Sequence, residues 1–281
     1  MSENKKKGLW ALLVKLGSKV FSVFLKLLKG LKMTKIGLAG VSFAGYALLY
    51  SWKFALLLMI AIGFHESGHV WAMKKMGIKT KGFYFLPFVG GAAIAEEQYK
   101  SYGQNVFIAI MGPIWGALLA YITAIGYWYT HNPLLAAAAA WMATLNLFNL
   151  LPIHPLDGGQ IIRAISFSIH QKLGLVFLLV STVLAVLLLL YLKIGLFVLF
   201  IFVGALELVL EVYYRYKSRD PSYRQWKLPD RIRDHHYPDD LSKKQLLASV
   251  ALYVATIAAL LLLVILMKDI PGADLAHNFI Q

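Results

Sequence analysis

The chain contains no cysteine. Disulfides, thiolate metal sites and cysteine nucleophiles are therefore excluded, and any metal must be held by His, Asp or Glu. Charge is scarce as well. Only 15% of the 281 residues are Asp, Glu, Lys or Arg, where a soluble domain carries about 25%. Acidic charge is scarcest, with 14 Asp and Glu against 28 Lys and Arg, a net +14. With 59% hydrophobic residues and a mean hydropathy of +0.64, this composition rules out a water-soluble globular enzyme and a disordered chain. The basic excess is compatible with nucleic acid or with anionic lipid. In a chain this apolar, a bilayer with anionic headgroups is the expected partner, and nucleic acid is not.

Long apolar runs fill most of the chain. A spanning helix needs about 20 mostly apolar residues. Seven stretches meet or approach this: Ile36 to Trp52, Phe54 to Met73, Asn105 to Tyr127, Leu134 to Leu151, Leu173 to Leu192, Ile194 to Tyr213 and Leu246 to Met267. The first is short, and Lys53 blurs its end. If each crosses once and the N-terminus is cytoplasmic, 25 of the 28 basic residues fall on the cytoplasmic side, as the positive-inside rule requires. The expected fold is an all-α polytopic membrane protein of about seven spans. The expected location is the cell membrane of a prokaryote, with the N-terminus cytoplasmic.

Two segments depart from this pattern. Within Gly8 to Leu31, Lys15, Lys19, Lys26 and Lys29 share one helical face, with Ser18 and Ser22 beside them. Residues 1–35 therefore read as an amphipathic helix lying in the membrane interface, before a transmembrane core at 36–213. Residues 214–245 are polar, too short for a domain, and read as a cytoplasmic linker to a C-terminal span and short tail at 246–281.

The second apolar run ends in Phe64-His65-Glu66-Ser67-Gly68-His69, an HExxH pattern. On a helix the two histidines project from one face a turn apart, so both imidazoles reach one metal ion. Glu66 lies at the flank of that face, about 60° in azimuth from His69, free to take a proton from a metal-activated water. Three titratable groups at membrane depth need a shared partner. A catalytic zinc wants a third protein ligand. Asp157 is the leading candidate, in Asn149-Leu150-Leu151-Pro152-Ile153-His154-Pro155-Leu156-Asp157-Gly158-Gly159. There the prolines break the helix and the glycines loosen the backbone after Asp157. The alternative role for Asp157 is N-cap of a helix over Gln160 to His170. His154, Glu207 and Glu211 are rival ligands, with bland roles in a headgroup-level loop or an interfacial ion pair.

The two motifs together resemble the site-2 protease family of intramembrane zinc metalloproteases, which pairs HExxH with NxxPxxxLDG. The second pattern is matched at every fixed position, from Asn149 through Pro152 to Leu156, Asp157 and Gly158. The resemblance runs from about Phe54 to Arg163. It implies one Zn²⁺ held by His65, His69 and Asp157, Glu66 as general base, and Asn149 donating to the substrate carbonyl or its oxyanion. Asn146, one turn earlier on the same face, is the alternative. The resemblance also implies a membrane-associated β-hairpin between spans two and three, in the segment Gly77 to Glu97. Gly112-Pro113-Ile-Trp-Gly116 looks like the family's GPxxN motif with Gly116 in place of Asn, which leaves close helix packing as its role. No segment between the motifs is long enough for the PDZ module of some relatives, so regulation through one is not expected.

The function implied is a zinc-dependent endopeptidase that cuts within or near the transmembrane segments of membrane proteins. A metal transporter would need further His or acidic residues along several spans. An inactive scaffold of the same fold would not need intact His65, Glu66, His69 and Asp157.

Overall fold

The computed structural model describes residues 35–87, 90–192, 205, 209, 238–268 and 270. The expected interfacial helix before Lys35, the expected span at 194–213 save two isolated positions, and the linker up to residue 237 lie outside the described residues.

Seven helices and one hairpin make up the described residues. They run α1 (Lys35–Leu49), α2 (Trp52–Lys75), β1 (Thr80–Leu86), β2 (Gly90–Ala95), α3 (Tyr102–Thr130), α4 (Pro133–Asn149), α5 (Asp157–Ile169), α6 (Gln171–Leu192) and α7 (Lys243–Lys268). Four of these helices are long and apolar enough to cross a membrane: α2, α3, α6 over Gln171–Leu188, and α7. Apolar side chains on their outer faces, such as Leu118, Ile122, Val176 and Val254, lie open, as a lipid-facing surface requires.

Of the seven expected spans, the described residues therefore show four as helices of spanning length. The first expected span is a helix of 15 residues, about 22 Å long against a hydrocarbon core of about 30 Å. It stops early because Ser51 opens the next helix, its hydroxyl accepting the Phe54 N–H at 3.2 Å. Trp52 and Lys53 therefore belong to α2. The fourth expected span, α4, has 17 residues. It begins with Asn132 as N-cap and Pro133 at the first helical position, and Pro152 prevents its continuation.

The central helix is α3, which packs against α2, α4, α5 and α7. Fully buried alanines at 120, 124, 136, 139 and 143 let α3 and α4 approach closely, the usual means of packing apolar helices in lipid. The expected hairpin is present. β1 and β2 pair antiparallel, with Phe83 opposite Ala93 and Phe85 opposite Gly91. Two contacts from α1 hold it: Lys35 donates to the Lys81 carbonyl, and Tyr46 is hydrogen-bonded to the backbone of Gly90.

Candidate metal centre

α2, α3 and the start of α5 bring the candidate ligands together. His65 and His69 sit one turn apart on α2, both buried, and Asp157 opens α5. The two Nε2 atoms are 3.1 Å apart. Asp157 Oδ2 lies 3.0 Å from His65 Nε2 and 3.4 Å from His69 Nε2. A tetrahedral ion with bonds of about 2.0–2.1 Å holds its ligand atoms about 3.3–3.4 Å apart, so this triangle has the dimensions of one face of a zinc site. Among the described residues it is the one group of three such side chains.

The outer ring nitrogens settle which atoms face the triangle. His69 Nδ1 lies 2.7 Å from the Ile108 carbonyl oxygen, which can only accept, so Nδ1 carries the proton. His65 Nδ1 lies 2.8 Å from Asn146 Oδ1. The orientation of that amide is set by its other end, because Asn146 Nδ2 donates to the Met142 carbonyl at 2.7 Å. His65 Nδ1 is therefore a donor too. With both rings neutral, as metal ligation requires, the two Nε2 lone pairs point at each other and at a carboxylate oxygen. One proton cannot serve all three atoms at these distances, whereas a divalent cation can.

Space for the ion is also provided. A side chain at Gly112 on α3 would put its Cβ 2.2 Å from His69 Nε2 and 2.8 Å from His65 Nε2, so only glycine leaves the centre open. The residues present fit a zinc ion.

Asp157 does not N-cap α5. Leu156 holds that position without a side-chain cap, and the carboxylate turns to the histidines instead. Backbone packing around the two glycines aims it. A Cβ on Gly158 would lie 2.1 Å from the Leu150 carbonyl oxygen, and one on Gly159 would lie 2.4 Å from the backbone at Ile153 and His154. His154 is buried but outside the cluster, and Glu207 and Glu211 lie outside the described residues.

Glu66 is buried beside the triangle without joining it. It faces β2: its carboxylate accepts the Ala93 N–H, and a Cβ on Gly91 would lie 2.5 Å from its Cγ. Asn149 ends α4, half-buried, and takes no part in the hydrogen bonding of Asn146 and His65. Asn146 thus proves to be the amide that orients a histidine. Helical phase puts both Asn residues near one face, and only the packed position of α4 against α2 separates them. Gly116 serves close packing as expected, with the Asn146 amide seated 2.1 Å from where its Cβ would be.

The geometry brings two histidines and one carboxylate together as a buried candidate metal site, with Glu66 alongside but outside the triangle. The family model of Peptidase family M50 matches residues 53–134 and 129–192, which carry every residue of this centre. A zinc metalloprotease of Methanocaldococcus jannaschii is 33% identical over 115 residues, 39% of this chain and 33% of that protein. A Synechocystis protein whose name proposes a zinc metalloprotease is 33% identical over 131 residues, 43% of this chain and 34% of its own length. The stage IV sporulation protein FB of Bacillus subtilis is 27% identical over 113 residues, 39% of each. The aligned part of the chain thus spans a third or somewhat more of the length of these relatives. The chain belongs to Peptidase family M50, the site-2 protease family of zinc metalloproteases.

Proposed function

We propose that this protein is an intramembrane zinc endopeptidase that hydrolyses peptide bonds within or near the transmembrane segments of membrane proteins. The convergence of His65 Nε2, His69 Nε2 and Asp157 Oδ2, with Glu66 beside them and unligated, carries this reading. When bound, zinc lowers the pKa of water to about 7 and polarises the scissile carbonyl. The protein's own part is proton transfer and orientation. Glu66 takes the proton of the attacking water on its carboxylate and returns it to the leaving amine. Asn149 donates its amide N–H to the developing oxyanion, where water does not compete.

The setting supports cleavage inside the membrane. Counted along α2, His69 and His65 lie about 9 and 15 Å from Lys75 at the helix end. These distances support a centre within the hydrocarbon layer but near one face, read as cytoplasmic from the distribution of basic residues. A substrate helix has its backbone bonded internally and must unwind before attack. The hairpin offers the unwound strand a template. Ala93, on the β2 edge away from β1, already reaches Glu66, so a strand laid along that edge passes the general base.

The test is reconstitution of the full chain in liposomes with a single-span reporter carrying Gly or Pro near its cytoplasmic end. The wild type is expected to cut it and Glu66→Gln to leave it intact. Equal cleavage by the variant would overturn the mechanism. Membrane proteomics of cells expressing the two forms would then identify natural substrates as single-span proteins stabilised by Glu66→Gln.

A further inference from the structure

The loop that presents Asp157 contains a hydrogen bond that has been split in two. In a continuing helix the Leu150 carbonyl would accept the His154 N–H. Here the loop turns away, and each partner is taken by a hydroxyl from elsewhere. Tyr253 on α7 donates to the Leu150 carbonyl at 2.5 Å, and the His154 N–H donates to Ser181 Oγ on α6 at 2.6 Å. Ser181 is fully buried, Tyr253 is buried, and Leu150 is 1% exposed. At this depth water cannot take over either bond, so each hydroxyl satisfies a backbone group that would otherwise stand unpaired.

We propose that Ser181 and Tyr253 are positioning residues for the metal centre. Together they wedge the chain open between Leu150 and His154 and so fix the carboxylate of Asp157 against the two histidines. The connection is short. The Leu150 carbonyl that Tyr253 holds is the atom against which Gly158 packs, and the Ile153–His154 backbone beside Ser181 is the surface against which Gly159 packs. Asp157 is the residue immediately before these glycines. A shift at either hydroxyl therefore reaches the ligand through close backbone contact, with no flexible side chain between.

The arrangement also gives α7 a role. It lies beyond residue 192, where the family match ends, yet it packs on α3, α4 and α5. Its approach is tied down on both sides. Leu241 N–H donates to Ser168 Oγ at 3.1 Å, and Asp239 is tied to Lys100 and Tyr102, on either side of Ser101, by backbone bonds of 2.9 Å. Tyr121 on α3 donates to the Ala259 carbonyl at 2.7 Å. The Tyr253 hydroxyl is thus held from a helix anchored to the rest of the core.

This inference rests on the zinc reading, and the experiment separates the two. The purified full chain in detergent is compared with Tyr253→Phe, Ser181→Ala and Ser181→Thr, using Zn²⁺ alone against a competing chelator, and the visible spectrum with Co²⁺ in place of zinc. Phe and Ala remove one oxygen each, whereas Thr keeps the hydroxyl. Zinc affinity is expected to fall about 10–100-fold in Tyr253→Phe and Ser181→Ala, the range for outer partners of metal ligands. The Co²⁺ bands of these two variants are expected to move, and Ser181→Thr to match the wild type. Affinities within about twofold of wild type with unmoved bands would overturn the brace alone, being far below the loss an outer partner causes. So would a Thr variant as impaired as the Ala variant, which also covers the case of an Ala variant that does not fold. A wild type that binds no zinc would overturn the site reading and the brace with it.

Discussion

Gly112 of α3 lies directly against His69 of α2, so closely that any Cβ at position 112 would stand 2.2 Å from the ring nitrogen that faces Asp157. The histidines converge on a space kept open by the missing side chain on the neighbouring helix. Gly112→Ala is therefore expected to abolish zinc binding while sparing helix content, because Ala is the better helix former. Zinc content and circular dichroism of the purified variant check this, and a zinc-loaded Gly112→Ala protein would contradict it.

Asn146 makes a second prediction. Its amide fixes the His65 ring by accepting from Nδ1, with its own orientation set by the Met142 carbonyl. Asn146→Leu keeps the size and removes the acceptor, which should weaken zinc binding by about 10–100-fold. Asn146→Asp keeps an acceptor for Nδ1 and should recover part of the loss. Chelator competition measures both, and equal loss in the two variants would reduce Asn146 to a packing residue.

The metal should also hold the fold together. Three ligands come from two distant parts of the chain, and a ligand that binds only the native state stabilises it by about 4 kcal/mol at about a thousand times its dissociation constant. Chelation is expected to lower the unfolding temperature of the wild type and of Glu66→Gln alike. It should leave His65→Ala unmoved. A wild type insensitive to chelator would show that zinc adds nothing to the structure.

β2 provides a fourth prediction. Gly91 fits against Glu66 because it lacks a side chain, and a Cβ there would meet Glu66 Cγ at 2.5 Å and Ile62 Cγ2 at 2.8 Å. Gly91→Val should push the strand off the glutamate. Peptide cleavage is expected to fall by about one to two orders of magnitude, the scale of a misplaced catalytic group, with zinc content unchanged. Loss of zinc in this variant would mean that the strand supports the ligands rather than the base.

The chemistry of the centre was far more legible in the sequence than its support. HExxH spacing is a local property of one helix, so His65, Glu66 and His69 could be placed from residue numbers alone. Asp157 was reachable because Pro152, Pro155, Gly158 and Gly159 announce a turn around it. The partners that aim these groups were not visible. Asn146 and Asn149 differ by about 60° in helical phase, too little to separate them without knowing where α2 lies. Tyr253 acts on Leu150 and Ser181 on His154, each across a long stretch of chain and through backbone atoms that leave no side-chain pattern. Apolarity set the far ends of the first and fourth expected spans two or three residues too late, because hydropathy does not record that Ser51 starts the next helix or that α4 ends at Asn149 ahead of Pro152.

His65, His69 and Asp157 are expected to hold one zinc ion beside Glu66. Zinc content of the purified full chain, measured for the wild type, His65→Ala, Asp157→Ala and Glu66→Gln, tests this most directly. About one zinc per chain is expected in the wild type and in Glu66→Gln, and little or none in the other two. A wild type without zinc, or zinc retained in full by His65→Ala and Asp157→Ala, would contradict this.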